Sequence, residues 1–357
     1  MSNDVKKSLE LEINKISGVS FDVENSKRID YINHALMLPW DNSDEPNWDI
    51  KYTKEILDKN MYGLNETKNR IYEFMAKNQR NNNKKGCVIL LHGGPGTGKT
   101  RIAKLIGEAM KRKVGFISLA GESDAKNLLG HKRVYMNSCP GVFIKEIQKL
   151  GTKNPVIVLD EIDKVLSGGH KSSVFYALLQ ILNPEENNKF VDHYLEIPFD
   201  FSNVIFILTS NNSNVIFPAL MDRMENFEIE PYIDKEKFHI AKNYMVNQII
   251  QEFNFNPINF SISDEALNFL IEYYCKYESG VRRLQKLIES IVRKVCFKIE
   301  VNDIKGLSKN NFNFLVSEKL LVKKDNVGFD EAELININLD PLKADKNEVL
   351  SDYNYSK

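Results

Sequence analysis

The middle of the chain alternates short apolar runs with segments whose apolar residues recur at helical spacing. Five of the runs predict strands: VILLH, VGFISL, PVIVLDEID, VIFILTSN and FEIEPY. Amphipathic stretches such as RIAKLIGEAMKR and FIKEIQKL lie between them. Parallel strands need long crossovers, which are usually helices. The alternation therefore predicts an α/β fold, with a mainly parallel sheet covered by helices on both faces.

The pattern changes on both sides of this alternation. Before it, apolar residues recur at helical spacing with breaks at Pro39 and Gly63, and after it the pattern becomes purely helical. The far C-terminus is acid-rich and sparse in apolar residues. These changes predict five regions: a flexible N-terminal segment at 1–23, a helical lead-in at 24–84, an α/β domain at 85–234, an all-α domain at 235–301 and a partly disordered tail at 302–357.

Composition excludes several classes of function. The 357 residues include 48 basic and 49 acidic ones, a balance that does not favour nucleic-acid binding. The four cysteines are far apart, without the spacing of a zinc or disulfide site. No run approaches the roughly 18 apolar residues of a membrane span. The N-terminus shows no signal or transit pattern, so we expect a cytoplasmic protein.

Candidate chemistry begins at the end of the first strand. The run GGPGTGKT fits the phosphate-loop pattern G-x-x-x-x-G-K-T and stands between a strand and a helix. Glycines let backbone N–H groups face phosphate oxygens, and the start of the helix adds its positive dipole end. Lys99 can reach the β and γ phosphates, and the Thr100 hydroxyl can bind Mg²⁺. The predicted nucleotide site comprises Gly93, Gly94, Pro95, Gly96, Thr97, Gly98, Lys99 and Thr100.

A second motif supplies carboxylates. In PVIVLDEID, four apolar residues form a strand that ends in Asp160 and Glu161. Asp160 is placed to hold Mg²⁺ through water, and Glu161 can act as general base on the attacking water. The two acids in succession favour nucleotide hydrolysis over a slow switch.

The GGPGTGKT and VLDEID pair resembles the AAA+ ATPases, and longer runs resemble one family among them, the Lon proteases. The resemblance extends in order over residues 24–298. The matching runs are IDYINHALMLPW, EILDKNMYGLNETKNRI, GHKRVYMNSCPG, GTKNPVIVLDEIDK, ALLQILNPEENNKFVDHYLEIPFDFSNVIF, LMDRMENFEI and SGVRRLQKLI. It implies a P-loop NTPase sheet with a C-terminal helical lid domain, and ATP and Mg²⁺ as ligands.

The resemblance also implies roles for residues outside the two motifs. Asn211 matches the sensor that orients the attacking water, with Asn212 as the alternative. Arg223 matches the arginine finger that completes a neighbouring subunit's site. Arg282 matches the sensor of the γ-phosphate in the helical domain, which leaves Arg283 as the solvated neighbour.

Further resemblances concern the base and the polypeptide. Tyr62 and Gly63 resemble the adenine pocket. Tyr135 and Met136 resemble an axial loop that grips a polypeptide in the central pore of a ring, where an aromatic beside a flexible side chain suits many sequences. The stretch SGGHKSS is a candidate second pore loop. A finger acting in trans implies a homo-oligomer, most plausibly a hexameric ring.

The sequence also departs from the family. We find no counterpart of the family's N-terminal substrate-recognition region or of its serine–lysine protease domain, so we expect no peptidase activity from this chain. Gly94 stands in place of a proline and Arg101 in place of a small residue. SSVFYALL replaces the usual small residues and brings Phe175 and Tyr176 near the second pore loop.

Several interpretations remain open at this point. One is an ATP-driven unfoldase that works on unfolded or misfolded polypeptides, alone or with a protease on a separate chain. Another is an ATP-binding adaptor or regulator that joins a full-length Lon protease. A clamp-loader-like role on nucleic acid fits the DRME and DHYLEIPFD runs and the neutral charge poorly. A truncated Lon protease remnant is a further alternative.

Overall fold

A computed structural model describes most of the chain and divides it into two compact units. The first comprises Met1–Met61, Asn65–Gly93 and Gly98–Ile229, and the second Tyr62–Leu64, Gly94–Thr97 and Glu230–Lys357. The described residues are 1, 3–16, 23–81, 85–122, 124–135, 137–166, 173–254, 260–301, 314–316, 321–322 and 333–334.

The first unit is built from alternating strands and helices. In chain order its elements are α1 Asn3–Asn14, α2 Val23–Leu36, α3 Ile50–Asn60, α4 Asn65–Arg80, β1 Val88–Gly93, α5 Lys99–Ala109, β2 Val114–Ser118, α6 Ala125–Leu129, α7 Val142–Leu150, β3 Val156–Asp160, α8 Ile162–Leu166, α9 Ser173–Leu182, β4 Phe190–Val191, β5 Pro198–Phe199, β6 Ile205–Ser210, α10 Pro218–Met221 and β7 Glu225–Ile229.

Five of these strands form one parallel sheet. Its order is β2-β3-β6-β1-β7, and each neighbouring pair runs parallel. All residues of β6 and the first four of β1 and β3 are buried, as continuous apolar strands of a covered parallel sheet should be. The predicted α/β fold and its five strands are confirmed. The β4–β5 hairpin is an addition that the sequence pattern did not predict.

The N-terminal segment differs from the expectation of flexibility. Helix α1 carries Val5 and Leu9, which are 3% and 4% exposed, on the same side about one turn apart. Both join the core cluster of the first unit, next to Tyr31 of α2. Two apolar residues in a polar helix are a weak periodic signal, and tertiary packing rather than local propensity stabilises this helix.

The second unit is mainly helical. Its elements are α11 Asp234–Ile240, α12 Val246–Glu252, β8 Phe260–Ile262, α13 Asp264–Tyr274, α14 Arg282–Val301, β9 Phe314–Val316, β10 Leu321–Val322 and β11 Glu333–Leu334. A π-helical turn, Ala241–Met245, joins α11 to α12. Buried residues of α14 at helical spacing, Leu284, Ile288, Ile291 and Val295, pack into the core of this unit.

One part of the purely helical expectation for 235–301 needs correction. Residues Phe260–Ile262 form a strand that pairs in parallel with Phe314–Val316. Three residues are too few to show strand alternation in the sequence, and their partner strand lies more than 50 residues further along the chain. The predicted disorder of the tail falls almost wholly outside the described residues. Among the described helices, none combines the length and apolar character that a membrane crossing requires.

Candidate active site

The phosphate loop connects β1 to α5. Gly96 and Gly98 have φ angles of 76° and 91°, in the left-handed region that glycine adopts without a Cβ clash. Gly98 caps α5, and its carbonyl accepts the first helical bond from the Ile102 N–H at 2.9 Å. The N–H groups of the first turn of α5 directly follow this loop. This arrangement suits an anion such as phosphate.

Lys99 lies at the start of α5 and is 8% exposed. Its ammonium group donates to the Gly93 carbonyl at 2.9 Å, across the loop. Burial lowers the pKa of Lys99, while the carboxylates of Asp163 and Asp160 act in the opposite direction. A desolvated ammonium with nearby acids is ready to exchange the carbonyl for phosphate oxygens.

Asp160 ends β3 at the same edge of the sheet. Its Oδ1 accepts hydrogen bonds from the Thr100 hydroxyl at 3.1 Å and from the Thr209 hydroxyl. The first contact joins the two residues that the sequence assigns to one Mg²⁺. Hydroxyl and carboxylate oxygens are ligands that Mg²⁺ accepts, and they sit at hydrogen-bond distance from each other. The residues present therefore fit the ion.

Glu161 follows in a left-handed backbone conformation, with φ at 60°. A residue with a Cβ rarely adopts this conformation. Its N–H donates to the Thr209 hydroxyl at 3.1 Å, and its carboxylate pairs with the Lys164 ammonium at 2.6 Å. The carboxylate is 31% exposed, so water reaches it. The structure thus places Thr100, Asp160 and Glu161 together, as the sequence predicts.

Asn211 and Arg223 also belong to the first unit, and both are exposed. Asn211 directly follows β6, while the side chain of Asn212 caps the next turn by accepting from the Asn214 N–H at 3.0 Å. Asn212 is thus occupied locally, which favours Asn211 as the sensor. The Arg223 guanidinium donates to the Ala219 carbonyl at 2.7 Å and otherwise faces solvent.

The second unit contains the middle of the phosphate loop and Arg282. The Val281 N–H donates to the Gly96 carbonyl at 3.1 Å, and a Cβ on Gly280 would lie 2.2 Å from the Gly96 carbonyl carbon. Arg282 is exposed at the start of α14, whereas Arg283 is half-buried and pairs with Glu278 at 3.3 Å. The expectation that Arg283 is the solvated member was wrong, because this ion pair holds it against the protein.

The predicted adenine pocket residues lie in the second unit. The ring of Tyr62 stacks on the imidazole of His239, with centroids 3.5 Å apart and planes at 9°. Gly63 has a φ of 69° and leaves no room for a Cβ beside the Glu236 carboxylate. The Nδ1 atom of His239 is buried and finds no hydrogen-bond partner among the described residues. Sequence analysis missed His239, since a lone histidine in a helix carries no signal.

The predicted axial loop runs between Gly130 and Gly141, and we call residues 131–140 the axial loop. Tyr135 is 58% exposed, which makes it no part of the core, and its partner Met136 lies outside the described residues. The candidate second pore loop is also outside them, apart from Ser173. Near it, Phe175 is buried against Phe217, and Tyr176 is 61% exposed.

One buried carboxylate bonds one end of the axial loop and lies close to the other end. Asp192 is 0% exposed, and its Oδ2 accepts from the Gly141 N–H at 2.7 Å. Its Oδ1 accepts from the N–H groups of Tyr194 and Leu195, and a Cβ on Gly130 would lie 2.7 Å from either oxygen. Burial raises the pKa of Asp192, although these N–H groups oppose the shift. Asp192 is the first residue of the DHYLEIPFD run, and no sequence pattern predicts this role for it.

A second contact ties the axial loop to the N-terminal helices. Arg133 lies 4.2 Å above the ring of Tyr31 and pairs with Glu196 at 2.9 Å. Glu12 of α1 is 3.7 Å away. These contacts leave the next two side chains, Val134 and Tyr135, projecting into solvent.

Comparisons with known proteins agree with this geometry. A model of the ATPase family associated with various cellular activities (AAA) matches residues 89–232, and a model of the Lon protease AAA+ ATPase lid domain matches residues 251–307. The chain is 39% identical over 335 residues to a Lon protease of Rickettsia typhi, and 42% identical over 296 residues to that of Clostridioides difficile. A mitochondrial Lon protease homolog of Yarrowia lipolytica is 38% identical over 300 residues.

The aligned region is most of this chain but a minor part of each relative. It covers 93%, 82% and 84% of the chain, and 42%, 37% and 25% of the three relatives in the same order. The chain thus spans about two fifths or less of the length of these relatives.

Proposed function

The chain carries the AAA+ ATPase module of the Lon protease family, and from this premise we propose that it hydrolyses ATP to unfold and translocate polypeptides. The observation that carries the proposal is the meeting of Thr100, Asp160 and Glu161 beside the phosphate loop. These are a metal-binding hydroxyl, a metal-binding carboxylate and a base, the set that nucleotide hydrolysis requires.

The phosphates are bound by the loop and by Lys99. Backbone N–H groups at the start of α5 and the Lys99 ammonium neutralise the phosphate oxygens. Thr100 and Asp160 would hold Mg²⁺, together with phosphate oxygens and water. When bound, the ion offsets negative charge on the β and γ phosphates. Among the described residues, no group of three or more His, Cys, Asp or Glu is arranged to hold a metal.

Glu161 acts on the attacking water. Its carboxylate accepts a proton from the water once the Lys164 ammonium has moved from it. Asn211 orients the same water with its amide. Arg223, exposed and held by one backbone carbonyl, reaches the site of a neighbouring subunit and stabilises charge on the transferred phosphoryl group. This last role requires a homo-oligomer, which we propose to be a hexameric ring.

Residues of the second unit would contact the nucleotide. Arg282 is exposed beside Gly96 and would sense the γ-phosphate. Tyr62 and Gly63 would bind the adenine, since an aromatic ring offers a stacking surface. His239, stacked on Tyr62, would support that ring.

The axial loop would grip the polypeptide. Tyr135 and Met136 are an aromatic residue and a flexible apolar residue, and such side chains can contact unfolded or misfolded proteins of many sequences. Asp192 and Arg133 attach the axial loop to the first unit, so a movement of this unit would also move the tip of the loop. The proposed partners are therefore ATP, an unfolded polypeptide and further copies of the chain, with a separate protease or a full-length Lon as a further possible partner.

The rate of ATP hydrolysis per subunit, measured against protein concentration, tests the proposal. A rate that climbs with concentration is expected, because Arg223 completes its neighbour's site; the Glu161→Gln protein provides the blank. Sedimentation with ATP separates a stable ring from a monomer if the rate stays flat. No rate above the blank, with ATP still bound, would contradict the proposal and favour an adaptor that joins a full-length Lon protease.

Tyr135→Ala should lower the stimulation of ATP hydrolysis by an unfolded protein about tenfold. The substitution removes the exposed ring that would contact the polypeptide, and truncating a central aromatic contact typically costs about 1–2 kcal/mol or more. The measurement is the ratio of ATP turnover with and without unfolded casein. Tyr277→Ala is the matched control, since Tyr277 is 94% exposed in the second unit. Equal ratios for both variants would remove Tyr135 from the proposed grip.

Asp192→Asn should also lower this stimulation, and should cost about 1–3 kcal/mol of stability. If the oxygen of the asparagine accepts from Tyr194 and Leu195, the NH₂ group of the asparagine faces the Gly141 N–H. Two donors cannot bond to each other, so the loop end at Gly141 is released. Thermal unfolding and the same stimulation ratio measure the effect. Asp200→Asn is the control, because the exposed Asp200 accepts a local bond from the Ser202 N–H at 2.8 Å. A wild-type ratio in a destabilised Asp192→Asn protein would show that Asp192 serves folding alone.

A further inference from the structure

We propose that Thr209 is a positioning residue for ATP hydrolysis, and that its single hydroxyl sets the geometry of both Asp160 and Glu161. The inference rests on the proposed function, because it assigns Asp160 to the metal and Glu161 to the water. Neither of the sequence motifs includes Thr209.

The position of Thr209 follows from the register of the sheet. β6 lies between β1 and β3, with Leu208 opposite Leu159 and Thr209 opposite Leu91. Thr209 is therefore beside Asp160, which follows Leu159, and is 2% exposed. A buried hydroxyl requires hydrogen-bond partners.

The two hydrogen-bond partners of the Thr209 hydroxyl are Asp160 and Glu161. The Thr209 hydroxyl donates to Asp160 Oδ1 and accepts from the Glu161 N–H at 3.1 Å. A hydroxyl has one hydrogen, and the N–H can only donate. The direction of both bonds is therefore fixed, and the Thr209 hydrogen must point at Asp160.

The bond to Asp160 orients its carboxylate. Thr209 and Thr100 both donate to Oδ1. Among the described residues no group donates to the other oxygen, Oδ2. One oxygen is thus held by two hydroxyls, and the second is left for a metal-bound water.

The bond to Glu161 holds its backbone. Glu161 turns from β3 into α8 through a left-handed conformation, which a residue with a Cβ rarely adopts. Its N–H has the Thr209 hydroxyl as acceptor in that conformation. Without this acceptor the turn can relax, and the carboxylate moves with it. A displacement of about 1 Å at a reacting group can cost about 10²-fold in rate.

Thr209→Val tests the inference, because valine keeps the shape and removes the hydroxyl. We expect kcat to fall about 10–100-fold while the Kd for ATP stays within about threefold. Thr209→Ser restores the hydroxyl and should keep at least about half of the turnover. Thr53→Val is the matched control for stability, since Thr53 is 0% exposed and donates to the Asp49 carbonyl within α3. ATP binding shows whether each variant is folded. If the Thr209→Val protein does not fold, the Thr209→Cys protein is measured in its place.

A double substitution separates positioning from a merely structural role. If Thr209 acts through Glu161 as well as through Asp160, adding Thr209→Val to Glu161→Gln should lower turnover by a smaller factor than in the wild type, because only the effect through Asp160 remains. Equal fractional losses in both backgrounds, or turnover of Thr209→Val within about twofold of wild type, would overturn the inference. Wild-type turnover of Glu161→Gln itself would instead overturn the proposed function.

Discussion

Replacing Glu161 by glutamine should reduce ATP turnover by about 10²-fold or more while ATP remains bound. Glutamine has nearly the same shape but cannot take a proton from water at neutral pH. The hydrogen bond from the Glu161 N–H to Thr209 involves only the backbone, so the left-handed turn should persist. Steady-state phosphate release gives the rate, and equilibrium binding of a labelled nucleotide gives the affinity.

The matched control for this substitution is Glu146→Gln. Glu146 pairs with Lys149 at 3.0 Å three residues along α7, just as Glu161 pairs with Lys164. The control therefore removes a similar ion pair away from the phosphate loop and should leave turnover near the wild-type rate. A Glu161→Gln protein that turns over ATP at the rate of Glu146→Gln would contradict the role of Glu161 as the base.

Arg223→Ala should lower ATP turnover by about 10³-fold, the scale on which an arginine finger acts. The loss should appear without a loss of ATP affinity, because the proposed contact is with a neighbour's phosphoryl group during the reaction. In its own chain Arg223 bonds to one backbone carbonyl, so little stability depends on it. Turnover, ATP affinity and sedimentation measure the three properties separately. Arg80→Ala, at an exposed arginine in the last turn of α4, is the control.

Mixing two inactive proteins tests whether Arg223 acts in trans. Arg223→Ala retains Glu161, and Glu161→Gln retains Arg223, so a mixed assembly contains some interfaces with both residues intact. We expect part of the turnover to return on mixing, in proportion to the fraction of such interfaces. If neither protein alone nor any mixture is active, while each assembles and binds ATP, Arg223 does not complete a neighbour's site.

The local sequence was sufficient for the sheet and for the phosphate loop. The strands β1, β3 and β6 are mainly apolar and largely buried, and these continuous runs indicate a sheet covered on both faces. Gly98, a fixed position of the motif, adopts a left-handed backbone angle that favours glycine. The pairing of Thr100 with Asp160 was also predictable, because both motifs lie where strands of one parallel sheet end, at its carboxyl edge.

The tertiary structure determined which groups orient the residues of the candidate active site and of the axial loop. Thr209 reaches Asp160 and Glu161 only through the register of β6 beside β3, which residue order does not specify. Asp192 bonds the Gly141 end of the axial loop from 51 residues along the chain. Helix α1 is ordered by burial of Val5 and Leu9. A sequence motif records which groups the chemistry needs, whereas the buried hydrogen bonds that orient them depend on contacts between distant segments.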